Sequence, residues 1–129
     1  MGESSRIRKS LRQSRSVRIW FWDGQREYQG EALELNPAAV TGFLKMSQFG
    51  EGTVIPTRKV VDGLIKHLTQ RAVEMKLSSE GLQVDLKARI TSVQTDFENP
   101  RRLLLMAEFP GVPDRAAPIL ARLASQLNS

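Results

Sequence analysis

The sequence predicts a mainly β fold, a six-stranded antiparallel β-barrel with one inserted helix and a C-terminal helix. Three observations predict this fold: several short segments alternate apolar and polar residues, turn residues separate these segments, and only two segments have helical periodicity. With 129 residues, of which 40% are hydrophobic, the chain is expected to fold as one domain around its own core.

The first three strands are expected to form a meander. Apolar residues alternate through 17–22, and Asp23-Gly24 is typical of a hairpin turn. A second strand at about 27–35 ends at a corner, Asn36 to Ala39, because the proline in this corner lacks the backbone N–H that a strand ladder needs. A third strand follows at 40–46.

A helix is expected to interrupt the strands at about 56–73. Apolar residues recur there with the spacing of one helix face, although Gly63 lowers the helix propensity by about 1 kcal/mol relative to alanine. This face consists of Val60, Val61, Leu64, Ile65, Leu68 and Ala72.

Strand patterns return at 73–77 and 82–91, and the second of these alternates most regularly. A last strand is expected at 102–109, where the continuous apolar run from Leu103 to Met106 predicts burial on both faces. A C-terminal helix should begin at Pro113-Asp114 and cover the sheet with an apolar stripe. The stripe consists of Ile119, Leu120, Leu123 and Leu127.

Most of the net charge of +5 is located in a basic N-terminal arm, residues 1–15, which precedes a barrel domain at 16–129. Residues 1–18 account for the whole surplus, since the other basic and acidic residues balance. A localised basic arm predicts an anionic partner such as a nucleotide, a nucleic acid or a membrane surface, with a solubilising tail as the alternative. The charged residues of 1–18 are Glu3, Arg6, Arg8, Lys9, Arg12, Arg15 and Arg18.

The sequence offers no constellation for catalysis. The absence of cysteine excludes thiol catalysis and disulfides, and the single histidine, His67, is interpreted as a surface residue of the inserted helix. Gly50 to Thr53 lacks the lysine of a phosphate-binding loop and is interpreted as a turn. Trp20 and Trp22 share one strand face and are expected in the barrel wall or a partner interface, with base stacking as the alternative. We therefore predict a protein that is not an enzyme and has no metal or cofactor.

The expected location is the cytoplasm. A chain without cysteine is typical of a reducing compartment, and no apolar run is long enough to span a bilayer. Residues 1–11 also lack the apolar centre of a secretory signal. The chain is expected either as a cytoplasmic protein or as a cytoplasmic domain of a larger membrane protein, without inserting into the membrane itself.

Arg8 and Arg12 make the arm the best candidate for a binding site. They stand four residues apart, shortly before the first strand. The planar guanidinium pairs with two phosphate oxygens or with the O6/N7 edge of guanine, and it also stacks on purines. Two such side chains on a short segment can enclose a dinucleotide.

This arrangement resembles the PilZ domain, a family of bacterial six-stranded barrels that bind cyclic di-GMP. The family carries an RxxxR motif before the first strand, which Arg8-Lys9-Ser10-Leu11-Arg12 matches. Its DxSxxG motif lies at the corner between the second and third strands, where this chain has Glu34-Leu35-Asn36-Pro37-Ala38-Ala39 and differs at all three motif positions. The later strands and the terminal helix follow the family's order, so the resemblance covers nearly the whole chain except about 56–73.

The resemblance implies a ligand site formed by Arg8, Arg12, Glu34, Asn36 and Ala39. In the family, the aspartate and serine of the corner contact guanine and the glycine permits close approach. Glu34 keeps the carboxylate, Asn36 can still form hydrogen bonds, and Ala39 adds a methyl group. If position 39 requires a positive φ, the strain is about 1 kcal/mol; otherwise the methyl group only crowds the ligand.

Two function hypotheses follow from the resemblance. The first is a cyclic di-GMP sensor that controls exopolysaccharide synthesis, for example by a cellulose synthase, or motility. The second is a ligand-free adaptor that binds an effector protein through the inserted helix and the exposed tryptophans. A basic barrel for single-stranded nucleic acid is a third and less favoured hypothesis.

Overall fold

The computed structural model describes residues 16–45, 57–99 and 101–128, and these residues form a closed six-stranded antiparallel β-barrel with two helices. The predicted fold class is therefore confirmed. Helix α1 lies between the third and fourth strands, and helix α2 is C-terminal. The elements are β1 (Arg18–Trp22), β2 (Glu27–Leu35), β3 (Ala39–Lys45), α1 (Arg58–Leu68), β4 (Ala72–Ser79), β5 (Leu82–Thr95), β6 (Arg102–Glu108) and α2 (Ala117–Asn128).

The strands close in the order β1-β2-β3-β6-β5-β4, with β4 pairing back onto β1. Successive side chains of a strand point to opposite faces, so the alternation in the sequence sends one set of residues into the barrel. Ile19 and Phe21 of β1 and Leu105 of β6 are among the fully buried residues of this core. Arg18, Trp20 and Trp22 of β1 point to the outer face.

Two β-bulges interrupt the pairing. The register of β2 against β3 shifts between Ala32 and Glu34, so Leu33 is an additional residue and both Leu33 and Glu34 are exposed. The register of β5 against β6 shifts between Ile90 and Ser92. After this shift β5 continues to Thr95, four residues beyond the predicted end.

Two glycines allow β2 and β3 to pack closely. A Cβ atom at Gly30 would overlap the backbone carbonyl of Phe43, and one at Gly42 would overlap the backbone carbonyl of Glu31. The two positions therefore require glycine for steric reasons, because any side chain would push the paired strands apart.

The prediction that β6 is buried on both faces is wrong. Leu103 and Leu105 are buried, but Leu104 is only half-buried and Met106 is 47% exposed. The strand thus has one core face and one outer face, like the other strands of the barrel. An apolar run in the sequence does not distinguish a strand buried on both faces from a strand with one core face, because large apolar residues also occur on the outer face of a barrel.

The helices cover the barrel with short apolar faces. The Thr57 hydroxyl accepts a hydrogen bond from the Val60 N–H and caps α1, which buries Leu64 and Leu68 and packs on β5. Helix α2 buries Leu120 and Leu123 and packs on β2, β5 and β4. Within the described ranges, no helix has the length and apolar character needed to cross a membrane.

Candidate ligand-binding surface

The predicted corner between β2 and β3 is an Asx turn. The Oδ1 atom of Asn36 accepts hydrogen bonds from the Ala38 N–H at 2.8 Å and the Ala39 N–H at 2.9 Å, and the Asn36 N–H donates to the Ala39 carbonyl at 3.0 Å. Glu34 is exposed next to this turn. The side-chain oxygen of Asn36 thus fixes the backbone, and its exposed amide nitrogen remains the group suited to donate to a ligand.

Ala39 occupies its position without backbone strain. It begins β3 opposite Glu108 of β6 and is half-buried. Among the described non-glycine residues, the positive φ angles belong to Gln70 and Glu80, so position 39 does not need the conformational freedom of glycine. The expectation of backbone strain at Ala39 therefore does not apply.

Arg8 and Arg12 lie outside the described residues, as does the rest of the predicted arm, 1–15. The described chain begins at Ser16, two residues before β1. The Val17 carbonyl accepts a hydrogen bond from the Ala32 N–H at 2.8 Å, which extends the pairing of β1 with β2 beyond Arg18. Val17 therefore pairs with β2 two residues before Glu34.

A second surface lies on the outer face of β1, β2 and β4. Here a groove of about 540 Å³ is lined by cationic, hydroxyl, amide and aromatic groups. An adjoining hollow of about 430 Å³ extends toward the β4–β5 turn and shares three lining residues with the groove. We call the larger hollow the Arg18 groove, and the lining residues used below are Ser16, Arg18, Trp20, Glu31, Lys45, Lys76 and Ser78.

Trp20 and Trp22 both lie on the outer face of the barrel, as predicted. The Trp20 Nε1–H donates to Oε2 of Glu27 at 3.2 Å, and the Lys76 ammonium lies 5.3 Å from the centre of the Trp20 ring. Trp22 is 43% exposed. Contacts on both neighbouring strands therefore hold the Trp20 indole, which lines the Arg18 groove.

A buried carboxylate joins helix α1 to the β1–β2 hairpin. Oδ2 of Asp23 accepts a hydrogen bond from the Tyr28 hydroxyl at 2.7 Å and lies 2.8 Å from His67 Nε2, while Oδ1 accepts from the backbone N–H groups of Gln25 and Arg26. The Asp23 side chain is 1% exposed and that of His67 is 37% exposed. His67 is thus a surface residue, as predicted, but its contact with Asp23 gives it a structural role that the sequence did not indicate.

Hydrogen bonding controls ionisation in this cluster. Burial alone would raise the pKa of Asp23, but hydrogen bonds from Tyr28, the Gln25 and Arg26 backbone and His67 hold that pKa well below its usual range. Burial and the bond to the Asp23 carboxylate raise the pKa of Tyr28 to about 12. The cluster therefore holds Asp23 charged and Tyr28 neutral.

Metal-ligating side chains do not form a group of three or more anywhere in the part of the chain that the structure describes. Neither a family model nor a curated protein matches this chain at a significant level.

Proposed function

We propose that the chain is a PilZ-type regulatory domain that binds cyclic di-GMP between its N-terminal arm and the β2–β3 corner. Arg8 and Arg12 would clasp the phosphates and stack on guanine, and Glu34 and Asn36 would hold a base at the corner. Ligand binding would then control exopolysaccharide synthesis or motility. The observation that carries this proposal is the Val17–Ala32 hydrogen bond, because Val17 follows the predicted arm by two residues and Ala32 precedes Glu34 by two residues on β2.

The chemistry of the corner supports guanine as the base. Guanine presents N–H donors at N1 and N2, which suit the exposed carboxylate of Glu34, and acceptors at O6 and N7, which suit the amide nitrogen of Asn36. The arginines supply bidentate pairing with phosphate that a lysine cannot give. The guanine base and the phosphates of the ligand thus each have complementary side chains in the chain.

A ligand-free adaptor is the second candidate function, and the corner's apolar neighbours favour it. Leu33 of the β2 bulge is 44% exposed and Met106 is 47% exposed. Thr41 lies between these two residues across the sheet, since it pairs with both Glu34 and Met106. In this function a partner protein would cover the patch, and cyclic di-GMP would not bind.

Calorimetric titration of the full chain with cyclic di-GMP separates the two functions. The receptor function predicts saturable binding that Arg12→Ala reduces at least tenfold, because one guanidinium–phosphate pair is lost. Arg122→Ala is the matched control, since Arg122 is an exposed arginine on α2. Linear GMP should bind more weakly than the cyclic dinucleotide.

Absence of heat with both nucleotides would exclude the receptor function and favour the adaptor. Equal losses from Arg12→Ala and Arg122→Ala would assign the binding to net charge rather than to the arm. A nonspecific nucleic-acid barrel would differ from both, because its affinity falls steeply with salt and varies little among nucleotides.

A further inference from the structure

We propose that the Arg18 groove is a second binding site, specific for a nucleoside phosphate and independent of the arm arginines and the corner. The ligand's phosphate would lie between Arg18, Lys76 and Ser78, and its base would lie along the indole of Trp20. This site does not depend on cyclic di-GMP binding at the corner.

The strand register brings the three phosphate-binding side chains together. Arg18 of β1 pairs with Ser78 of β4, and Trp20 pairs with Lys76. The Cβ atoms of directly opposed residues are about 5 Å apart, and those of residues two apart on one strand are about 7 Å apart. A guanidinium, an ammonium and a hydroxyl group therefore project from one small area of the outer face, and all three can donate hydrogen bonds to phosphate oxygens.

The cations of the groove are suited to an anionic ligand. The Arg18 guanidinium is exposed and has no side-chain hydrogen bond or ion pair with any described residue. Arg18, Lys45 and Lys76 line the groove against a single carboxylate, that of Glu31, which lies 3.6 Å from Lys45. The lining is thus net positive even with the Lys45–Glu31 pair counted as neutral.

Trp20 supplies the surface for a base. Its indole is half-buried. The Nε1–H of the indole donates a hydrogen bond to Glu27, and the Lys76 ammonium lies over the indole ring. A cation close to an aromatic surface suits a nucleotide, because the phosphate and the base of a nucleotide are attached to the same sugar. The cation can then bind the phosphate while the aromatic ring stacks on the base. Stacking of a base on an aromatic side chain contributes about 1–3 kcal/mol and requires no particular base.

The size of the groove agrees with one nucleotide. Small-molecule sites have volumes of about 300–1,000 Å³, and the Arg18 groove, at about 540 Å³, lies within this range. The adjoining hollow shares Ser16, Arg18 and Ser78 with it, so a second unit of a longer chain would continue past the phosphate. The ligand chemistry is therefore a nucleoside phosphate, from a free nucleotide or from a single-stranded nucleic acid.

Two-dimensional NMR of the full chain tests this site directly. Trp20 and Trp22 are the two tryptophans of the chain, so the indole N–H region contains two signals, which Trp22→Phe assigns. Addition of GMP should shift the Trp20 indole signal in a saturable way. Arg18→Ala combined with Lys76→Ala should weaken this effect at least tenfold, while Arg12→Ala should leave it unchanged. Lys87→Ala is the control for an exposed lysine outside the groove.

Inorganic phosphate and a short single-stranded oligonucleotide complete the test. Binding that tightens with oligonucleotide length would identify single-stranded nucleic acid as the source, and equal binding of GMP and oligonucleotide would identify the free nucleotide. Inorganic phosphate that binds as tightly as GMP would overturn the proposal, because the base would then contribute nothing. A Trp20 signal that does not move, or moves equally in the double variant, would overturn it as well.

Discussion

The Nε2 atom of His67 lies 2.8 Å from Oδ2 of Asp23 and joins helix α1 to the β1–β2 hairpin across 44 positions of the sequence. The same carboxylate oxygen accepts a hydrogen bond from the Tyr28 hydroxyl, and the Tyr28 ring stacks on Phe21 with the ring centres 4.7 Å apart. One carboxylate therefore fixes the hairpin, the helix and a core aromatic pair at this end of the barrel.

Replacing Asp23 with alanine should strongly destabilise the fold. The substitution leaves the buried Tyr28 hydroxyl and two turn N–H groups without their acceptor, which is expected to lower the free energy of unfolding by about 2–4 kcal/mol. Urea denaturation measures this loss. Asp85→Ala, at an exposed aspartate of β5, should change it by about 0.5 kcal/mol or less, and similar losses in the two variants would contradict the role of the cluster.

The stability of the chain should depend on pH through Asp23. Because hydrogen bonds depress the pKa of this group in the folded state, its stabilising contribution is fully present above the unfolded value of about 3.9 and is lost as the pH falls below it. Unfolding curves measured from neutral pH downward should therefore show a steeper acid loss in the parent chain than in Asp23→Asn. Parallel curves would show that Asp23 is not the responsible group.

Tyr28 should titrate late, and its signal is unambiguous because the chain has a single tyrosine. Phenolate absorbance should give a pKa of about 12 in the folded chain, against about 10 after unfolding. Since the folded value is the higher one, this contribution to stability is present below about pH 10 and is lost as the pH rises toward 12. Asp23→Asn should lower the Tyr28 pKa, because the charged acceptor is removed.

Glycine is required where β2 and β3 pack closely. Gly30→Ala should destabilise the barrel by about 3 kcal/mol or more, because the added methyl group overlaps the Phe43 carbonyl and the paired strand must move. Gly63→Ala is the matched control. Its Cβ meets no atom within 4 Å, and alanine favours the helix, so a gain of about 0.5–1 kcal/mol is expected. Thermal unfolding should therefore show a lower midpoint for Gly30→Ala and a higher midpoint for Gly63→Ala than for the parent chain.

The strands were predictable from the sequence because the barrel has one core face, and a period of two residues records which side chains point to it. The alternation at 82–91 and the turn at Asp23-Gly24 identified their elements correctly. The extension of β5 to Thr95 was not predictable, because the bulge near Ile90 reverses the alternation. The exposure of Met106 was not predictable either, because the continuous apolar run from Leu103 to Met106 has no alternation that would show which side chains point outward.

The candidate sites were less predictable than the fold. The corner from Asn36 to Ala39 was identified from its turn residues, and Asn36 was expected to form hydrogen bonds, but its use of Oδ1 within the turn appears only in three dimensions. The Asp23–His67 contact and the Arg18 groove depend on residues that are distant in sequence. No local pattern indicates which of these distant residues the barrel brings together.

Paramagnetic relaxation gives a direct test of the proposal that cyclic di-GMP brings the arm to the β2–β3 corner. The chain contains no cysteine, so Leu11→Cys gives one attachment point for a nitroxide between Arg8 and Arg12. Addition of cyclic di-GMP should broaden the amide signals of Ala38 and Ala39 and leave those of Phe97 and Glu98, at the opposite end of β6, unchanged. Binding without broadening at Ala38 and Ala39 would exclude this corner as the binding site, and no binding would exclude the receptor function.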